Sequence, residues 1–305
     1  MIFFKTLGFQ LFLLKHSLKS PIINVFHNKN QVGVLDNKGQ SFYIDHPENS
    51  NVSFLKYSNS FSGLKTLNFK YYEENEKKTN WFIMDIYNRI YFKKTNKLFY
   101  YSNSTQIYNS FSNESSFQIY SNGKVFKEGE EIKIDKSLYD RNWINGLVHQ
   151  DKYLILMNLD HELIIYDMEL KYFCYKEQYI TENPVFKIII SETNNFINLY
   201  IGYKNLGIRM LGFFGGFNNN IQKMFLPLSD IKDFSATPSG PFLVTHNERN
   251  ITLYKKVRTF PFEKIYTGFF PSILRKIINI RMINETVYSH SFSEIYSFFF
   301  SDLVY

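Results

Sequence analysis

Alanine is almost missing from this 305-residue chain, occurring only at Ala236. It is the best helix former, and the chain instead holds 32 Phe, 23 Tyr and many Ile, residues that suit strands. A helical fold is therefore disfavoured. Cysteine occurs once, at Cys174, so no intrachain disulfide can form. Within the apolar run 172–175 it reads as a small buried hydrophobe rather than a nucleophile. Arginine is scarce, 7 against 28 Lys, and the first is Arg89, which does not match an Arg-rich import presequence. No run of 18 apolar residues exists, so no membrane span is expected. The apolar opening 1–15 is interrupted by Lys5 and Gln10 and lacks a small-residue cleavage site, unlike a secretory leader.

Catalytic signatures are missing as well. No Gly-x-Ser-x-Gly elbow, His-Glu-x-x-His or Walker sequence occurs. Gly215-Gly216, set among Phe213, Phe214 and Phe217, lacks the Lys and Ser/Thr of a phosphate loop and reads as a flexible connector. The expectation is a chain that is not an enzyme, with no metal, no cofactor and no small-molecule substrate.

What the chain does contain is one pattern, repeated. In 153–167 an apolar run, a polar break at Asn158 and a second apolar run ending in Tyr166-Asp167 read as an antiparallel hairpin. Six more copies fall at 32–45, 81–93, 117–127, 196–210, 242–255 and 287–300, with steps between turns of 49, 36, 37, 45, 43 and 43 residues. A period of about 40–45 residues with room for four strands marks propeller blades. Segments such as 170–177 and 221–228 supply outer strands; 22–26, 185–191 and 231–236 supply inner ones. A pair of β-sandwiches would give no such period. The prediction is an all-β chain forming a single domain over 1–305, a seven-bladed β-propeller of four-stranded antiparallel blades. The last hairpin leaves little chain for an outer strand. The N-terminal segment 1–20, through 9–18, is expected to supply it and close the ring, which removes two exposed sheet edges. The charged insert 73–78 is expected to be a solvated loop.

This arrangement of apolar run, Asp/Asn/Ser turn and apolar run has Tyr166-Asp167 where a Trp-Asp pair often ends the third strand. It resembles the WD-repeat class of seven-bladed propeller over nearly the whole chain. The sequence has neither a Trp-Asp pair nor the Gly-His dipeptide of that class. The resemblance implies the architecture.

Titratable groups concentrate at Asp160-His161-Glu162, which sits in a hairpin turn and is expected to be solvated; a metal would need further ligands from other loops. Asp45-His46 and His246 lie in comparable loops and receive the same reading. Charge is unevenly spread. The net charge is +7, yet residues 36–249 are neutral overall. Residues 1–35 carry Lys5, Lys15, Lys19 and Lys29 with no acid, and 250–290 carry Lys255, Lys256, Arg258, Lys264, Arg275, Lys276 and Arg281 against Glu263 and Glu285. In a closed ring these ends are neighbours and form one basic sector, the footprint expected for phosphate backbones. Phe260, Tyr266, Phe269 and Phe270 are interleaved there and could stack on bases. The alternative is a solvated Lys-rich surface with its aromatics in the core.

Three function classes follow. The first is a non-catalytic scaffold with protein and RNA contacts in a large assembly. The second is an accessory subunit of a membrane respiratory complex, and the third is a propeller enzyme with a central-channel site. Phe, Tyr, Asn, Lys and Ile have AT-rich codons, while Ala and Arg have GC-rich ones, and an organelle genome is a common AT-rich source. By analogy of gene content, a basic, β-rich chain of this kind is similar to a divergent mitochondrial ribosomal protein. The expectation is a mitochondrial (matrix) ribonucleoprotein component in contact with rRNA and neighbouring proteins; the alternative location is cytoplasmic.

Overall fold

The strand Tyr153–Asn158 pairs antiparallel with Glu162–Asp167, from Tyr153 opposite Asp167 to Met157 opposite Leu163. Both strands are apolar nearly throughout because both faces are covered: Leu154 to Asn158 and Leu163 to Asp167 are all buried. Trp143–His149 lies on one side and Tyr172–Gln178 on the other, completing a four-stranded sheet. The outer strand alternates in burial, as a strand with one solvated face should. The tight connection before Tyr153 has positive φ at both Gln150 and Asp151, which matches the right-handed twist of a two-residue hairpin turn.

In this computed structural model, residues 115–127, 130–193, 196–218, 221–237, 242–247 and 250–257 are described, and elsewhere the backbone of strands; side chains are described mainly between Phe117 and Lys255. Among the described residues the strands form antiparallel sheets spanning 22–56, 66–100, 106–132, 143–178, 185–227 and 233–269, each four-stranded. A further sheet is five-stranded. Its inner three strands are Asn279–Ile283, Thr286–His290 and Glu294–Phe300, and its outer two come from the other end of the chain, Phe9–Ser17 and Ile2–Thr6. Phe9–Ser17 pairs with Glu294–Phe300 over seven positions, from Leu11 opposite Phe300 to Ser17 opposite Glu294. The expectation of uniformly four-stranded sheets is corrected here. Ile2–Thr6 folds back on Phe9–Ser17 with Ile2 opposite Leu13, so the apolar opening contributes two strands. Of the insert 73–78 expected to be a solvated loop, Glu73, Glu74 and Lys78 lie in strands, since Thr66–Glu74 and Lys78–Asp85 pair out to Glu74 opposite Lys78; residues 75–77 lie outside the described residues.

The chain divides into two compact units, residues 1–22 with 182–305, and residues 23–181. Within each, the first strand of one sheet lies against the first strand of the next. Thr66–Glu74 meets Gln106–Ser112, which meets Trp143–His149; in the other unit Val185–Thr193 meets Asp233–Ala236, which meets Asn279–Ile283. The core sits between sheets. Phe117, Ile119 and Val125 of the 106–132 sheet pack on Leu154, Leu156, Ile164 and Tyr166 of the next. Tyr200, Ile208 and Met210 pack likewise on Phe234, Leu243 and Tyr254. Each aliphatic side chain buried this way contributes about 1.5–3 kcal/mol.

The connection between the 106–132 and 143–178 sheets shows how a polar link is accommodated in that core. Asp135 caps the single-turn helix Lys136–Leu138 by accepting from the Ser137 N–H at 2.8 Å. The Leu138 carbonyl then accepts from the buried Trp143 Nε1 at 2.6 Å. Among the described residues no helix is long and apolar enough to cross a membrane.

Candidate interaction surface

All the basic residues singled out in the sequence except Lys29 fall in the unit that holds both chain ends. Lys5, Lys15 and Arg281 lie on strands of the five-stranded sheet. Lys255, Lys256 and Lys264 lie on the last two strands of the 233–269 sheet, whose first strand borders Asn279–Ile283. The side chains of Lys255 and Lys264 are exposed. The backbone thus brings six of the eleven residues onto two bordering sheets. One of them faces an acid in register, Lys255 opposite Glu263. The Lys255 ammonium also stands 5.9 Å from the centre of the Phe242 ring. Lys19, Lys29, Arg258, Arg275 and Lys276 lie outside the described residues, as does His46.

Asp160-His161-Glu162 is only partly the solvated turn expected. Asp160 is exposed, but His161 is buried and takes a φ of 58°. Its carbonyl accepts from the Tyr179 N–H at 3.2 Å, tying the turn to the end of the outer strand. Glu162 accepts two bonds from Arg141, at 2.9 and 3.1 Å, and a third from Asn158 at 3.1 Å. Its other oxygen meets the Lys176 ammonium at 2.9 Å. Burial opposes ionisation of Glu162, but the bonds from Lys176 and Arg141 outweigh it and hold the carboxyl below its usual range. The cluster therefore fastens a loop, a turn and an outer strand. Among the described residues no three His, Cys, Asp or Glu side chains are grouped to hold a metal.

Two further expectations are corrected. His246 is not a loop residue: it ends the strand Phe242–His246 and is 3% exposed. Cys174 is not in the core: it stands half-buried on the outer strand Tyr172–Gln178, at an irregularity where Tyr166 pairs with Phe173 and Ile165 with Tyr175. Burial still pushes its thiol up, away from thiolate reactivity.

Reasoning from sequence passed over a buried polar link in this unit. Asp233 is buried at the start of the inner strand Asp233–Ala236. It accepts from the Lys187 ammonium at 2.6 Å and from the Ile280 N–H at 2.9 Å. Lys187 also donates to the Phe234 carbonyl at 2.7 Å. One carboxylate thus ties together the inner strands of three sheets. A second tie runs from the Ser191 hydroxyl to the Thr237 carbonyl at 2.6 Å. The only signal in the sequence is an aspartate inside an inner strand, a position that normally carries an apolar residue.

His246 sits close to this link, and burial lowers its pKa, against the opposing pull of the Asn247 carbonyl and of Asp233. A histidine whose folded pKa is depressed binds its proton more readily when unfolded. Its contribution to stability is present above the unfolded value of 6.5 and is lost as pH falls through the folded one. Thermal unfolding followed by circular dichroism is expected to show a midpoint that declines below about pH 6.5. In His246→Gln that decline should be shallower; an identical pH profile for the two proteins would refute the assignment.

No protein-family model matches the sequence, and no curated protein matches it. Solved structures do match the fold. A chain in the crystal structure of the mitotic checkpoint complex aligns with a TM-score of 0.63 at 9% identity, covering 94% of this chain and 90% of that one. The Myceliophteria thermophila Cps50 (Swd1) β-propeller domain aligns with a TM-score of 0.66 at 10% identity, covering 92% and 96%. At such identities the likeness speaks to fold: this is an all-β chain of antiparallel sheets with β-propeller neighbours.

Proposed function

We propose that this chain is a non-catalytic β-propeller scaffold that joins protein partners within a larger assembly. The observation that carries the reading is the alignment over nine-tenths or more of each chain with two solved structures, one a β-propeller domain and the other a chain of a checkpoint complex. The rigid links through Asp233 and Glu162 are consistent with it, since they fix the spacing of strands and turns without forming a reactive site. In this reading there are seven blades in a single ring, and the pairing of Phe9–Ser17 with Glu294–Phe300 supports closure by the N-terminal segment.

A finer reading is that the assembly is a mitochondrial ribosome and that the basic residues meet rRNA. Composition supports it, as do Lys5, Lys15 and Arg281 on one sheet and Lys255, Lys256 and Lys264 on its neighbour. Lysines and arginines would displace counterions from phosphates and bind largely without regard to sequence. Native purification followed by sedimentation and mass spectrometry tests both levels. Migration as a free monomer overturns the scaffold; migration with a non-ribosomal complex overturns only the finer reading. Replacing Lys255, Lys256, Arg258, Arg275 and Lys276 with Gln should make the salt dependence of RNA binding shallower, by up to about 3.5 in log–log slope at about 0.7 per phosphate contact. An unchanged slope removes RNA from the proposal.

A further inference from the structure

The turn between the second and third strands of the 143–178 sheet is held from several sides. The His161 N–H donates to the Asn158 carbonyl at 3.1 Å, closing a β-turn with Leu159 and Asp160 at its centre. His161 follows in the left-handed region, a common way to end such a hairpin loop. The Asn158 side chain fastens the base of the turn: its Oδ1 accepts from the Glu162 N–H at 2.9 Å, and its Nδ2 donates to the Glu162 carboxylate at 3.1 Å. On the outer side, the pairing of Glu162 opposite Gln178 is carried one residue further by the bond from the Tyr179 N–H to the His161 carbonyl. The Gln178 Nε2 also reaches the Asp160 carbonyl at 3.4 Å. Ile180 therefore leaves the sheet alongside the tip of the turn.

The side chains presented by this frame are apolar. Leu159 is 63% exposed and Ile180 is 95% exposed. Turn centres favour Gly, Pro, Asn, Asp and Ser, and neither side chain gains much burial within the chain. Single exposed apolar residues are ordinary. Here two stand beside one another on a hydrogen-bonded frame, so much of the ordering that a contact requires is already in place. Next to them is Asp160, which is exposed. Arg141 and Lys176 are both committed to Glu162, which leaves the Asp160 carboxylate without a cation. An apolar pair beside an uncompensated acid is complementary to an apolar side chain that neighbours a base.

We propose that Leu159, Asp160 and Ile180 form a docking point for a basic, apolar segment of a partner protein. An apolar side chain of the segment seats on Leu159 and Ile180, and a neighbouring lysine or arginine meets Asp160. This rests on the scaffold reading and names one contact that the scaffold makes. An acidic or nucleic-acid partner is disfavoured at this point, because Asp160 repels it and the apolar pair gives it nothing to bind.

The test uses the full-length protein and two short capped peptides, alternating Leu-Lys and alternating Leu-Glu, each carrying a fluorophore and followed by anisotropy. The net charge of +7 draws the acidic peptide to the protein at large, so a preference for the basic one marks a local acid. The Leu-Lys peptide is expected to bind saturably and about fivefold or more tighter than Leu-Glu. Leu159→Ser and Ile180→Ser should each weaken it about fivefold, and Asp160→Asn about threefold. Leu170→Ser is the control. Leu170 is 65% exposed and lies at the opposite end of the same sheet, between Asp167 and Tyr172, so its loss should leave binding unchanged. Circular dichroism of each variant confirms that folding is retained. Failure of Leu-Lys to bind, equal affinity for both peptides, or an effect of Leu170→Ser as large as that of Ile180→Ser overturns the docking point. So does self-association of the parent that Ile180→Ser abolishes in sedimentation, since a second copy would then cover these residues. The scaffold reading fails separately: it falls if the native protein sediments alone, whatever the peptides do.

Discussion

Asp233→Ala is expected to cost about 3–5 kcal/mol of stability, the range for removing one partner of a buried ion pair. The loss has three parts. The Lys187 ammonium, whose side chain is only 18% exposed, loses its 2.6 Å counter-ion. The Ile280 N–H loses its acceptor on a neighbouring sheet. The inner strands of the 185–227, 233–269 and 279–300 sheets lose their shared link. At about 2 °C per kcal/mol for a chain of this size, the unfolding midpoint should fall by about 6–10 °C. Asp233→Asn keeps an oxygen for the Ile280 N–H while removing the charge, so its loss should be smaller, about 1–3 kcal/mol. Chemical denaturation of the three proteins checks the order. An Asp233→Ala protein within about 1 kcal/mol of the parent would mean that the link is not formed in solution.

That link also shows where sequence reasoning reaches its limit. Strands such as Tyr153–Asn158 and Glu162–Asp167 are legible because they are continuously apolar and separated by a short polar turn, a local pattern. The all-β, antiparallel character follows from such patterns and from the nearly missing alanine. The partner of Asp233 is 46 residues away, and no local pattern announces it. His246 and His161 misled for a related reason. Each stands next to polar residues typical of a turn, yet each is buried by chain from elsewhere: Lys232 donates to the His246 carbonyl and Tyr179 to that of His161. Cys174 failed in the opposite sense. Its apolar neighbours suggested a core, but they stand on an outer strand, where Phe173 is exposed and meets the buried Tyr166 with ring centres 5.2 Å apart. The strand ends at Glu73, Glu74 and Lys78 were hidden because these residues have low strand propensity; cross-strand pairing in the sheet overrides it.

Gly207→Ala should be the second severe substitution, for a backbone reason rather than an electrostatic one. Gly207 opens the strand Gly207–Phe214 with a φ of +138°, a conformation that residues with a side chain rarely adopt. Space is closed as well. A Cβ there would stand 2.2 Å from the Leu226 carbonyl oxygen and 2.8 Å from the Leu228 nitrogen. Both obstacles are backbone, so no side chain can swing aside; the outer strand Ile221–Pro227 must move, and with it the pairing of Gly207 opposite Pro227. Strained backbone costs about 1–3 kcal/mol, and displacing the strand adds to it. The expected total is about 3 kcal/mol or more, with an unfolding midpoint lowered by about 6 °C or more. Gly216 supplies the control. Its φ is +119°, but nothing lies within 4 Å of the added atom, so Gly216→Ala carries the conformational cost without the collision. Denaturation midpoints should rank parent, Gly216→Ala, Gly207→Ala from most to least stable. Equal losses at both sites would show that conformation alone sets the cost and that the strand end beside Gly207 yields freely.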